Sequence, residues 1–202
     1  DVLDIDILDE DSDLFTLDSA TPALNKVTAA QDVPRSIFRA YDIRGIVGRQ
    51  LTGETVAVIS KAIGTYLRQH GAKRIAIGYD ARESSPGFCK ILTDSLHATG
   101  CNTVQIGMVP TPVLYHTLFT KAVDGGVMIT GSHNPPEHNG FKISLGTASL
   151  FGQQIQKIRQ IALKAETRPV GSVSARQEDT PYRSFFRLID LCMTSTRAAR
   201  LV

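Results

Sequence analysis

Cysteine is scarce in this 202-residue chain: Cys89, Cys101 and Cys192 are an odd set, with no CxxC pair and no metal-ligand spacing. Neither a disulfide framework nor a zinc site follows from them, and a reducing cytoplasm is the expected location. Long apolar runs are missing too. None approaches the roughly 18 residues of a membrane span, and the first residues lack a basic stretch followed by an apolar one, so no membrane partner is expected. The lysines and arginines are scattered, not gathered into a stripe interleaved with aromatics, which argues against nucleic acid.

A content of 42% hydrophobic residues suffices for a real core, and the length allows one or two domains. The formal charge of +2 hides an asymmetry: residues 1 to 18 hold eight acidic residues and no basic one, leaving 22 basic against 12 acidic residues on the remainder. Alternating acids and aliphatics, then a Thr/Ala/Pro/Gln-rich stretch, repel each other and bury little, so residues 1–34 read as a flexible acidic extension. The basic excess beyond it suits phosphorylated partners, although it is common on ordinary surfaces.

The chain is organised around residues 126–143. Gly126-Val127-Met128-Ile129 is a short, β-branched apolar run, suited to a buried strand, and Asn134-Pro135 and Asn139-Gly140 both signal turns. Ser132 is therefore expected on a loop at a strand end, with Gly131 letting the backbone approach a ligand and Pro135 and Pro136 stiffening the far side. In the next strand Phe141, Ile143 and Leu145 share one face and Lys142 the other, from which it would reach back towards Ser132. A hydroxyl is a poor nucleophile at neutral pH, and a cationic neighbour is a usual means of activating it or holding the charge it attacks. A helical zinc-binding reading of His133 to His138 fails, because two prolines forbid a continuous helix.

Thr130-Gly131-Ser132-His133-Asn134-Pro135, followed by Asn139-Gly140-Phe141-Lys142, resembles the active-site serine loop of the α-D-phosphohexomutases, the phosphoglucomutase and phosphomannomutase family. Phe38-Arg39-Ala40-Tyr41-Asp42-Ile43-Arg44-Gly45 resembles the opening motif of the same family, Asp80-Ala81-Arg82-Glu83-Ser84 its Asp-x-Arg-x-Ser turn, and Gly107 to Pro112 its Gly-x-x-Pro-Thr-Pro arrangement. The resemblance runs from about Ser36 to Val202. The Thr130-Gly131 spelling is more similar to the bacterial phosphomannomutase/phosphoglucomutase branch than to phosphoglucosamine mutase, which is the alternative among enzymes.

The resemblance implies that Ser132 carries a phosphoryl group, that Arg44 and Lys142 are catalytic electrostatic groups, with Arg44 also a candidate for proton transfer, and that Tyr41 and His133 contact the phosphosugar. Asp80, Arg82 and Asn134 would support them, the first two as braces. It further implies a reversible shift of a phosphoryl group between the 1- and 6-positions of a hexose through a bisphosphorylated sugar. Mg2+ would bind the phosphate on Ser132 and the carboxylates of an Asp-rich loop. No Asp-Gly-Asp-Gly-Asp occurs in these 202 residues. The polypeptide by itself is accordingly expected to be inactive and prone to self-association through uncovered surfaces, and the non-enzymatic alternative is a phosphohexomutase-like binding or regulatory module.

Helices are expected over about 52–69, 86–99, 110–121 and 150–166, with strands over 37–48, 74–80, 103–107, 126–129 and 141–145. This is the order of an α/β protein: a three-layer α/β/α domain with a mainly parallel mixed sheet over residues 35–170. Residues 171–202 read as a linker, with a helix over 181–193, and the truncated start of a second, similar domain. Ligands of such sheets bind beyond the carboxyl ends of the strands, where Ser132 stands.

Overall fold

The computed structural model describes residues 33–164, 175–177 and 184–189. The acidic extension, most of the expected linker and most of the expected second domain lie outside the described residues.

A 3-10 turn, Arg35–Ile37, leads into strand β1 (Ile43–Ile46), helix α1 (Gly53–Gln69) and strand β2 (Arg74–Tyr79). Helix α2 (Ser85–Ala98), strand β3 (Asn102–Met108), helix α3 (Thr111–Thr120) and strand β4 (Gly125–Ile129) follow. Strands β5 (His138–Leu145) and β6 (Ala148–Ser149), helix α4 (Gln153–Lys164) and strand β7 (Ala175–Gln177) complete the order, and residues 184–189 are helical. The sheet order is β1-β5-β4-β2-β3-β7, with β6 on the side of β5. β4, β2, β3 and β7 run parallel, whereas β5 is antiparallel to β4, β1 and β6.

Helix α1 shows how sequence makes an element here. The hydroxyl of Thr52 caps it by accepting from Thr55 N–H at 3.2 Å, and Val56, Ile59, Ile63 and Leu67 recur at helical spacing, all fully buried. Each such side chain contributes about 2 kcal/mol of transfer free energy. The helix stops where Gly71 turns into positive φ, at 83°. The period of two in the central strands then divides the core into two layers. Ile75, Ile77, Val127 and Ile129 face α1, α2 and α4, while Ala76, Val104, Ile106 and Met128 face Val113, Leu114 and Leu118 of α3.

Three expectations need correction. Residues 37–48 do not form one strand: Ile37 N–H closes a turn on Pro34 O at 3.3 Å, and Phe38 bridges to Ile43 across a tight reversal, leaving only Ile43–Ile46 as strand. Helix α4 starts at Gln153, not Leu150, because Leu150 N–H is spent on Ile143 O and Gly152 sits at φ 54°. Within the expected linker, Ala175–Gln177 is strand, paired parallel to Thr103–Gln105 of β3. Its backbone completes the sheet edge without an apolar pattern to announce it.

Candidate active site

β4 ends the parallel part of the sheet and β5 returns beside it, so the loop between them is fastened at both ends; Thr130 N–H donates to Gly140 O at 3.0 Å across its base. The turn expected at Asn134-Pro135 is here, with Asn134 N–H on Gly131 O and His138 N–H on Pro135 O, both at 3.0 Å. Asn139-Gly140, expected as a second turn, instead lies within β5, where its two residues pair with Gly45 and Arg44 of β1. Ser132 is exposed and is the only non-glycine described residue with positive φ, at 53°. A side-chain-bearing residue in that region costs about 1 to 3 kcal/mol and persists only where its surroundings impose it. Ser132 N–H donates to the hydroxyl of Thr130 at 2.8 Å.

What imposes it is Arg82. All five of its guanidinium N–H groups are engaged: Nη1 donates to Pro135 O (2.7 Å) and His138 O (2.9 Å), Nη2 to Ser132 O (3.0 Å) and Asn134 O (2.7 Å), and Nε to Asp80 Oδ2 (3.1 Å). The loop is wound around this cation. Gly131 is needed because a Cβ there would lie 2.3 Å from Arg82 Cζ; the close approach it permits is to Arg82. Asp80 finishes the brace, its Oδ1 accepting from Arg82 N–H (3.1 Å) and Ser85 Oγ (2.6 Å) and its Oδ2 from Gly131 N–H (3.2 Å). Burial pushes the Asp80 carboxyl up, but hydrogen bonds from Ser85, Thr130, and the Arg82 and Gly131 backbones outweigh it, holding its pKa below the ordinary carboxylate value. Behind the loop Asn139, fully buried, donates to Ser84 Oγ (2.8 Å) and Ser85 Oγ (3.0 Å) and accepts from Gly140 N–H (2.8 Å).

On the other side stand the cations of β1 and β5. Arg44 Nη1 donates to the Asn134 side-chain oxygen at 3.0 Å, and its Nη2 pairs with Asp42. Asn134 thus joins both arginines, Arg44 through its side chain and Arg82 through its carbonyl. Lys142 lies on the face opposite Phe141 and Ile143, as its period demands, but its ammonium meets Asp42 Oδ2 at 3.3 Å and stands 5.2 Å from the centre of the exposed Tyr41 ring; no contact with Ser132 is made. His133 is exposed next to Ser132. An open groove of about 540 Å3 borders the loop, lined by Asp80, Ala81, Arg82, Glu83, Asn134 and Pro136. Sequence reasoning missed Asp42 and Asn139. Asp42 had one legible signal, its place two residues before Arg44, on the same face of an extended segment.

Chemically the arrangement offers an exposed hydroxyl on a fixed backbone, with two cations tied to the same loop. Among the described residues no group of three or more His, Cys, Asp or Glu side chains is placed to hold a metal ion. The nearby carboxylates of Asp42 and Asp80 are already committed to cations and N–H donors, so these residues do not make a Mg2+ site by themselves.

Residues 35–169 match the family described as phosphoglucomutase/phosphomannomutase, alpha/beta/alpha domain I. A phosphomannomutase/phosphoglucomutase of Pseudomonas aeruginosa is 45% identical over 162 residues, which are 80% of this chain and 35% of that protein. A phosphoglucomutase of Neisseria meningitidis is 42% identical over 153 residues, 74% of this chain and 33% of that one. Among solved structures, a phosphoglucomutase/phosphomannomutase family protein from Burkholderia thailandensis superposes with a TM-score of 0.73 at 36% identity, covering 78% of this chain and 36% of its own. The chain therefore spans about a third of the length of these relatives.

Proposed function

This chain belongs to the phosphoglucomutase/phosphomannomutase family, whose domain I it carries, and on that premise we propose that it is the phosphoserine-bearing part of an enzyme that interconverts hexose 1-phosphate and hexose 6-phosphate. In this reading the Ser132 Oγ–phosphorus bond breaks as a hydroxyl of the sugar phosphate attacks phosphorus, giving a bisphosphorylated sugar and a free serine. The other phosphate of that sugar then returns to Ser132 Oγ. Phosphoryl transfer asks the protein for alignment and neutralisation more than for covalent help. Ser132 supplies the carrier oxygen, Arg44 and Lys142 the positive charge, and Tyr41 and His133 the nearest contacts for the sugar.

The observation that carries the proposal is the backbone of Ser132: an exposed hydroxyl held at φ 53° by a loop wound on Arg82 and tied to Arg44 through Asn134. A turn serine with no task has no need of that strain. The experiment is to incubate the full-length protein with labelled hexose bisphosphate. Label is expected on the wild type and none on Ser132→Ala; equal labelling of the two would remove Ser132 from the role.

A further inference from the structure

Among the described residues Asp42 is the only fully buried acid, 1% exposed, and the chemistry above gives it no part. Register explains where it sits. β1 and β5 pair Ile43 with Phe141 and Arg44 with Gly140, so one further step sets Asp42 against Lys142, while Arg44, two residues on, shares its face. Asp42 Oδ2 consequently accepts from both Arg44 Nη2 and Lys142 Nζ.

The two cations are held unequally. The Arg44 side chain is 3% exposed and also bound to Asn134; that of Lys142 is 20% exposed, its bond to Asp42 is 3.3 Å, and its ammonium leans over the open Tyr41 ring. Asp42 Oδ1 and Arg44 Nε are buried and make no hydrogen bond among the described residues. A pair kept for stability alone avoids such orphaned atoms, which cost free energy.

We propose that Asp42 is a positioning residue and internal counter-anion: it holds Arg44 and Lys142 while the serine loop carries no phosphate, and an arriving phosphate dianion draws Lys142 away while Arg44 stays. This rests on the phosphoryl-transfer reading of the same loop. With Asp42 present the trio has a net charge of one positive unit, so a dianion competes with the carboxylate for Lys142. The carboxylate weakens ground-state binding and keeps the ammonium aimed along one direction.

The test is Asp42→Asn in the full-length protein, with inorganic phosphate as the calorimetric probe. Removing one negative charge a few ångströms away should tighten phosphate binding about tenfold. Turnover should fall by at least about tenfold as the cations lose alignment, with KM falling as well. A residue that merely braced the fold would lose binding and turnover together, so equal or weaker phosphate binding overturns the proposal. Should the variant not fold, wild type labelled with 15N on lysine and arginine side chains decides. On phosphate addition the Lys142 signal, identified with Lys142→Arg, must move while that of Arg44 does not; a stationary Lys142 signal, or no phosphate binding, overturns it. The wild-type mutase assay is read separately. Turnover without the Asp42 effect removes the counter-anion alone, and the Asp42 effect without turnover removes the mutase reading alone.

Discussion

Arg82→Lys is the substitution that bears most directly on how Ser132 is held. A lysine keeps the charge but has three donors for a position where five N–H groups are in use, so at least two hydrogen bonds must go. Hydrogen bonds to a charged group contribute about 1.5 to 3 kcal/mol each when protected. Those to Pro135 and Ser132 are exposed, where water replaces part of the loss, and those to His138 and Asn134 are partly buried. A local loss of about 3 kcal/mol follows, against the roughly 1 to 3 kcal/mol stored in the Ser132 backbone. The loop should then open about a hundredfold more often. Native-state hydrogen exchange measures this: the Gly131 and Asn134 amides should lose about that factor in protection, while Val127 and Met128 in β4 keep theirs. Gly131→Ala should give the same pattern from the other side, since its Cβ would displace the guanidinium. Unchanged protection in Arg82→Lys would mean that the loop's own turns suffice and that the guanidinium is not what holds it.

Lys142→Met and Arg44→Met in the full-length protein should each lower turnover by about 10² to 10³ and affinity far less, as steady-state kinetics with glucose 1-phosphate would show; a change confined to KM would make them binding groups only. The pKa of Asp80 is lower folded than unfolded, so its contribution is fully present above about pH 4 and is lost as pH falls through the folded value. The stability gap between wild type and Asp80→Asn, from urea melts, should therefore narrow from pH 6 to pH 3, and a gap that widened would contradict the assigned bonds. Cys89 and Cys101 are buried, and burial pushes both thiols up. In a Cys192→Ser chain, a thiol reagent at pH 8 should label neither until denaturant is added, and fast labelling of the native chain would count against this packing.

Ser132 could be placed from sequence because the short apolar run Gly126 to Ile129, followed by turn residues, has few other readings, and the face of Lys142 followed from a period of two. Partners were another matter. Periodicity says which way a side chain points within its own strand, but not which strand lies opposite, so the meeting of Asp42 and Lys142, 100 residues apart, was invisible until β1 and β5 were in register. Arg82 read as half of a local charge pair with Asp80; that its other four N–H groups would reach 50 residues or more along the chain depends on how the loop folds back. Ala175–Gln177 escaped because an edge strand is held by backbone bonds and needs no hydrophobic spelling.

The pairing of β1 with β5 makes the apolar interior a proofreader of the polar site. Phe141 and Ile143 point into the core from the same strand that presents Lys142 outward. A slip of one residue would bury the ammonium and expose the phenyl ring. Such a register is rejected by the core at folding, before any substrate is present. Drift in the loop sequence, including insertion between residues 132 and 137, can alter what the serine meets, yet it leaves untouched the side of the sheet on which its cations are delivered.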